Sequence, residues 1–571
     1  MVSAFFRSLS VPSTTPSRRS FVAFSVLAGV GLPVLAGCDL PGASKAKDSA
    51  SANGSASAKG KAKAGSTDWQ KLDAHIMGHK VAIRVSPVIR KNDTTSIMAL
   101  ELTRAKDDAS IDRVKTDSSD TEDNKLNISS YLGTPSIYRP GTGASLVKLL
   151  DLGSGRVWSA TDGSGADDGF LEITPGEKTT SYLSFGKVDT DTVTVMVPMA
   201  GFTTVSVLEA DAAKKASIDL DAASSNLDQF PDAATELAKP ATIERYTRAL
   251  DDSTSTHTGD KDVTVTLNSD VTFASDSADL TPAADTQLQT VADQLDQYPD
   301  GGTLTIVGHT DDVQDDAYNQ TLSEKRANAV KTKLQQLTDL DKWNPTTTGK
   351  GESEPRVKDT TDEARAANRR VEITLTPTGG TTPKDSNTSA TPSNGSGSDS
   401  GKLPAPQGPV AKGSKGVTLT SKGTDTSGEV TITLDHLTRQ DGYLLGTITC
   451  TVKDGSTGAP LHPLLEDPQT LLANQRDEDG SALPTFNASD GLTLIASGER
   501  IFPADYLDAD AKHHLPLTEL NISDHLKTGT TTICTIWPDP GGDTITLDHP
   551  EGKYSPKGTA YRLTDIPIKN S

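Results

Sequence analysis

The chain has 571 residues, 34% of them apolar and only 4% aromatic, with 55 Lys+Arg against 77 Asp+Glu for a formal charge of −22. That length corresponds to about three to five domains, and so little aromatic content excludes one large aromatic core in favour of small strand-rich units joined by polar linkers. The acidic balance argues against a nucleic-acid binder, and three cysteines support neither a disulfide-dense scaffold nor a four-cysteine zinc site.

At the start, Ser17-Arg18-Arg19-Ser20-Phe21 leads into an apolar run from Phe21 to Ala36 that ends at Leu35-Ala36-Gly37-Cys38. As a helix the run spans about 24 Å, short of a hydrocarbon core of ~30 Å, so residues 1–37 read as a signal peptide rather than an anchor. The Leu-Ala-Gly-Cys ending resembles the bacterial lipobox, which implies that Cys38 is acylated (palmitate included) and becomes the first residue of a lipoprotein. The Arg pair before Phe resembles a twin-arginine export signal, with the general export route as the alternative. Asp39 resembles an inner-membrane retention signal, which places the lipid-anchored chain on the outer face of the cytoplasmic membrane. Residues 38–67 are Ala, Ser, Gly and Lys without apolar periodicity and read as a disordered, locally basic tether.

Residues 68–211 alternate with period two, as in Val81-Ala82-Ile83-Arg84-Val85, the signature of half-buried strands. Residues 212–260 read as a connector holding one predicted helix, Asp232–Ala249. Residues 261–377 mix strands and helices, 378–416 form a Gly/Ser/Pro/Thr-rich linker, and 417–571 return to alternating strands. The two β segments look like copies. Val81-x-Ile83-x-Val85-x-x-Val88-x-Arg90 matches Val430-x-Ile432-x-Leu434-x-x-Leu437-x-Arg439, and Asp191-Thr192-Val193-Thr194-Val195-x-x-Pro198 matches Asp543-Thr544-Ile545-Thr546-Leu547-x-x-Pro550. Each copy is expected to be an immunoglobulin-like β-sandwich, a pattern-level resemblance that implies no ligand. In the same register, with one residue inserted after the Arg, Cys450 falls opposite Leu102 and Cys534 opposite Tyr182. In an exported protein that placement predicts a Cys450–Cys534 disulfide, worth about 4–5 kcal/mol on the loop-entropy account. The acidic run Asp162–Gly169 lacks the ligand spacing of an EF-hand and reads as a loop.

In the central segment, Val263-x-Val265-x-Leu267 predicts a strand, and Thr281-Pro282 caps a helix with Leu288, Val291, Ala292 and Leu295 on one face. Thr303–Val307 predicts a second strand. A second helix carries Leu322, Ala327, Val330, Leu334 and Leu337, and Val371–Leu375 closes an α+β unit with two helices on one face of a mixed sheet.

Here the residues become specific. Phe273-Ala274-Ser275-Asp276-Ser277-Ala278-Asp279-Leu280, Gly308-His309-Thr310-Asp311 followed by Asn319, Leu322-Ser323, Arg326-Ala327 and Val330, then Gly349-Lys350-Gly351-Glu352 and Asn368-Arg369-Arg370-Val371-Glu372 resemble the OmpA-like (OmpA/MotB C-terminal-like) peptidoglycan-binding domain at the family's spacings. The resemblance covers about a fifth of the chain. It implies binding to the peptide stem of peptidoglycan, at the zwitterionic end of a diamino acid side chain. A carboxylate suits that end's ammonium and a planar donor fork its carboxylate. Carried over, Asp311 accepts from the ammonium, Arg326 grips the carboxylate, and Asn319, Leu322 and Arg369 shape or support the pocket. His309 is expected to orient the turn. One departure stands out: Gln314 occupies the place where the family usually carries a Gly, within Asp312-Val313-Gln314-Asp315-Asp316. A reshaped loop is expected, its extra carboxylates favouring a different diamino acid.

Residues 261–377 hold 12 Lys+Arg and 21 Asp+Glu, net −9, so wall attachment is expected to depend on a local complementary pocket rather than a basic patch. No metalloprotease, nucleophile-elbow or phosphate-loop motif is present, no cofactor or metal is implied, and the chain is expected not to be an enzyme. The expected function is a lipoprotein that ties membrane to wall. The rival is an adhesion or sensor lipoprotein whose sandwiches bind a protein or glycan while the central unit only anchors it.

Overall fold

The computed structural model describes residues 64–571 apart from 109–113, 116–123, 134–142, 161–170, 224–236, 238, 382–402, 454, 467–487, 509–512, 523–524 and 552–556. The signal peptide, Cys38, most of the tether, the acidic run 162–169 and much of the linker lie outside the described residues. Among those described, no helix is long and apolar enough to cross a membrane.

The first β segment contains β1–β4 (Gln70–Ile76, His79–Val85, Val88–Arg90, Thr95–Arg104), β5 and β6 (Lys148–Asp151, Arg156–Ser159) and β7–β9 (Lys178–Gly186, Thr192–Val197, Gly201–Glu209). Next come β10 and β11 (Arg245–Ala249, Thr254–Thr258). The central unit follows: β12 (Val263–Asn268), α1 (Pro282–Asp296), β13 (Gly302–Gly308), α2 (Asp316–Leu337), β14 (Trp343–Gly349), α3 (Asp362–Asn368) and β15 (Arg370–Pro377). The last segment holds β16–β19 (Val417–Lys422, Ser427–Thr433, Leu437–Gln440, Tyr443–Val452), β20 and β21 (Thr493–Ala496, Glu499–Ile501) and β22–β24 (Gly529–Pro538, Thr544–His549, Tyr561–Asn570).

The internal repeat is visible strand for strand. The first segment runs β1-β2-β4-β3-β9-β8-β5-β6 with β7 beside β4, and the last runs β16-β17-β19-β18-β24-β23-β20-β21 with β22 beside β19. Even the unusual parallel pair recurs, β3 with β9 and β18 with β24. Register agrees to the residue. Ile83 pairs with Leu102 as Ile432 pairs with Cys450, and Tyr182 pairs with Ala99 as Cys534 pairs with Thr447.

The copies do not close separate cores. One buried cluster runs from Leu72, Ile83 and Leu100 of the first copy to Val430, Ile448 and Trp537 of the second, and another joins Leu150, Val157 and Phe202 to Tyr443, Tyr506 and Ile536. Burial of apolar area at roughly 25 cal/mol per Å² is the main force holding such an interface. Backbone bonds cross it as well, from Gly78 N to Thr530 O (2.9 Å) and from Met199 N to the Glu519 carboxylate (2.8 Å).

The predicted disulfide is absent: Cys450 and Cys534 are buried free thiols. They sit on neighbouring antiparallel strands, β19 and β22, where Cys450 faces Thr531 and Cys534 faces Thr447. Three positions separate them along the ladder, and because side chains alternate, an odd offset sends them to opposite faces. Cys450 enters the first cluster and Cys534 the second. Burial pushes the Cys450 thiol up to about 12. Native chain carrying Cys38→Ser is therefore expected to be inert to an aromatic disulfide reagent, and to release two thiol equivalents once unfolded in guanidinium; release of none would restore the disulfide.

The helix expected over Asp232–Ala249 is replaced, from Ala241 on, by strand. Ala241–Thr242 extends the first copy beside β6, and β10 pairs with both β11 and β21. Edge strands of both copies offer unpaired N–H and C=O groups to this segment, and Tyr246 buries its ring against Phe502 at 5.2 Å, so tertiary pairing overrides local helical preference. Through β10, β11 and β12 the sheet of the central unit is continuous with that of the second copy.

The central unit matches its reading closely. β13 pairs parallel with β14 and antiparallel with β15, which pairs with β12, so the sheet is mixed. One face, Val263, Val265, Leu267, Leu304, Ile306, Val371, Ile373 and Leu375, packs under Leu288, Val291 and Leu295 of α1 and Ala327, Val330 and Leu334 of α2. The Thr281 hydroxyl caps α1 by accepting from Ala284 N (3.3 Å), with Pro282 in the first turn.

Candidate functional site

β13 ends at Gly308, and the chain passes through His309 and Thr310 to Asp311 before Asp315 caps α2, its carboxylate accepting from Tyr318 N (2.9 Å). Two glycines let α2 lie directly on the strand ends. A Cβ on Gly308 would stand 2.2 Å from Ser323 O, and one on Gly349 would stand 2.4 Å from Ser323 Oγ. Ser323 Oγ in turn accepts from Gly351 N (3.0 Å). This close approach carries Asn319, Leu322 and Arg326 over the end of the sheet, opposite Asp311. Gly308→Ala is expected to destabilise the chain by about 3 kcal/mol, because the atom in the way is backbone and cannot swing aside. Urea unfolding checks this, and a midpoint within error of the parent would contradict it.

A cleft of about 460 Å³ opens there, lined by Asp311, Asn319, Leu322, Arg326 and Arg369, all five residues that the sequence assigned to the pocket. Arg326 is only 5% exposed. Its Nε donates to Ser277 O (3.0 Å), and its guanidinium lies over the Phe273 ring at 5.2 Å. Among the described residues it forms no ion pair, and burial lowers its pKa from the ordinary arginine value. The charges of Asp270, Asp276 and Asp311 offset part of that burial without touching the guanidinium, which leaves its fork open to a further anion.

Arg369 is held quite differently. It forks onto Asp270 through Nε and Nη2 (2.7 Å each) and donates through Nη1 to Asp311 Oδ2 (2.6 Å), and these carboxylates raise its pKa. Asp311 is thereby locked by one oxygen. Its other oxygen has a long contact of 3.4 Å from Val313 N and keeps room to accept. Asn319 is buried and knits the loop, its Nδ2 donating to Asp311 O (3.1 Å), Gln314 O (3.1 Å) and Glu352 Oε2 (2.6 Å). The hydroxyls of Ser269 and Thr310 also line the cleft, buried and without a partner. With Asp270, Asp276 and Asp311 against Arg326 and Arg369, the lining has both signs and unspent donors, as a zwitterion requires.

Gln314 does not adopt a left-handed backbone, so its side chain is accommodated without strain. The expectation about the carboxylates is corrected. The extra carboxylates do not enter the cleft: Asp312 pairs with Arg365 (2.7 Å), and Asp315 and Asp316 occupy the cap and first turn of α2. Val313 and Tyr318 line the mouth instead, 61% and 40% exposed. His309 is buried outside the cleft, its ring nitrogens without a hydrogen bond among the described residues and Nε2 3.8 Å from Glu372 Oε2, and burial together with Arg370 lowers its pKa to about 4, so it is neutral at pH 7. Its backbone N–H, bonded to Arg370 O (2.9 Å), ties the turn to β15. Sequence reasoning missed Asp270, the bidentate partner of Arg369 from 99 residues away; no local pattern marks it.

The family model described as the OmpA family matches residues 272–369. Outer membrane porin F of Pseudomonas aeruginosa is 42% identical over 108 residues, covering 19% of this chain and 31% of that protein. The Escherichia coli K12 lipoprotein YfiB is 36% identical over 111 residues, 19% of this chain and 68% of its own length. Among solved structures, the cell wall anchor of the T6SS from Pseudomonas aeruginosa shares 31% identity over 21% of this chain and 83% of its own, with a TM-score of 0.19. The chain spans about a third of the porins it matches and rather more of the lipoproteins.

Proposed function

Because the chain belongs to the OmpA family through its central unit, we propose that this unit grips the peptide stem of peptidoglycan without catalysis and so ties the membrane to the wall. The observation that carries the reading is the pair of unlike charges at one cleft: Arg326, buried and in no ion pair among the described residues, beside Asp311, held by Arg369 with one oxygen to spare. The guanidinium fork would take the stem's side-chain carboxylate and Asp311 its ammonium. Lipidation at Cys38 would hold the chain at the outer face of the cytoplasmic membrane. The two immunoglobulin-like copies would act as one rigid spacer, a role supported by their shared core and by the sheet that continues into the wall-binding unit.

Co-sedimentation of the full chain (Cys38→Ser, to keep it soluble) with purified peptidoglycan tests this. Asp311→Ala, checked for folding by circular dichroism, is expected to stay in the supernatant while the parent pellets. A parent that fails to pellet with diaminopimelate, lysine and ornithine walls alike would remove the reading.

A further inference from the structure

An apolar lip borders the stem cleft. Val313 and Tyr318 stand at its mouth, 61% and 40% exposed, two of the five large apolar side chains exposed among the described residues. Apolar groups left in water at the edge of a polar cleft mark a surface that a ligand covers. The Tyr318 hydroxyl reaches across the mouth to donate to Asp276 O (3.4 Å), on the same loop whose Ser277 O holds Arg326. Spacing along α2 sets what lies deeper. Tyr318, Leu322 and Arg326 recur every four residues and so share one helix face. Along that face burial increases from the exposed ring through the half-buried Leu322 to Arg326, 5% exposed. An apolar wall thus leads from the mouth to a buried guanidinium whose fork is open.

That gradient suits an anionic head carried on an aliphatic neck, the head at Arg326 and the neck against Tyr318, Leu322 and Val313. We propose that Val313 and Tyr318 are specificity-determining residues: they pack the methylene chain of the diamino acid, so that the cleft measures the length of that side chain. The inference rests on the stem-binding reading. With the ammonium at Asp311 and the carboxylate at Arg326, only the methylenes that join this head to the peptide can occupy the mouth. Each methylene covered there leaves water together with the apolar surface of Val313 and Tyr318 that it covers.

Calorimetric titration of the full chain (Cys38→Ser) with two synthetic stem tripeptides tests this. The peptides are identical except for the diamino acid, diaminoadipate in one and diaminopimelate in the other, so the charged heads match and the necks differ by one methylene. The parent is expected to bind the longer neck roughly two- to fourfold tighter, the effect of burying most of one methylene. Val313→Ser should bring that ratio close to one, and Tyr318→Ser should do the same, with circular dichroism to show that both variants fold. A parent that does not prefer the longer neck would overturn the lip while leaving the stem cleft standing, as would a preference that both folded variants retain in full. Failure of both peptides to bind the parent would instead strike the stem-binding reading, and the lip with it.

Discussion

An Arg326→Lys variant is expected to lose roughly 10- to 100-fold in affinity for peptidoglycan although it keeps the charge. Lysine offers a point charge, whereas the buried guanidinium presents a planar fork, and a bidentate charge-assisted contact is worth about 1.5–3 kcal/mol. The shorter, more strongly hydrated ammonium also loses the Phe273 face at 5.2 Å and the Ser277 carbonyl at 3.0 Å that hold the arginine in place. Titration with a stem peptide measures the loss, and a variant within threefold of the parent would show that charge alone is recognised. The same burial predicts that raising salt to about 0.5 M weakens the parent only modestly, since desolvated pairs are little screened.

Glu519→Gln is expected to be more stable than the parent above pH 7 and to lose the parent's decline with rising pH. Glu519 is fully buried between the two copies, its Oε1 accepting from Met199 N and Cys534 N (2.8 Å each). Burial raises its pKa to about 7, against these backbone bonds, which lower it. The folded state therefore holds this proton more tightly than the unfolded chain. Stability from the group is complete below the ordinary carboxylate range and falls as pH climbs from about 4.5 through 7, by about 3 kcal/mol in all. Glutamine keeps the acceptor oxygen and carries no charge to bury. Urea midpoints of both proteins from pH 5 to 8.5 check this, and parallel curves would mean that Glu519 is neutral throughout or solvated by rearrangement.

Much of the central unit could be read directly. Thr281-Pro282, the helical spacing of Leu288 and Val330, and the run from Gly308 to Arg326 each depend on contacts near in sequence or on one ladder, and all five assigned pocket residues meet at one cleft. The repeat could be read too: the matched positions Ile83 and Ile432, and Leu102 and Cys450, take the same places on the ladder in both copies, because alternation preserves register through divergence. What failed depended on parity or on distant partners. Aligning Cys450 and Cys534 with buried positions was sound, yet burial does not say which face, and an odd ladder offset parts them. The connector's helical propensity yielded to two sheet edges that its own residues do not reveal.

The repeat, the elements of the central unit and the chemistry at one end of its sheet follow from the order of residues alone, since each is written in spacing that folding preserves. The three-dimensional packing is what makes the copies share a core, turns Asp312 away from the cleft onto Arg365, and pins Arg369 with Asp270 rather than a neighbour. Those outcomes are settled by which surfaces meet, and contacts as distant in sequence as Asp312 with Arg365 or Asp270 with Arg369 leave no periodic trace in the chain.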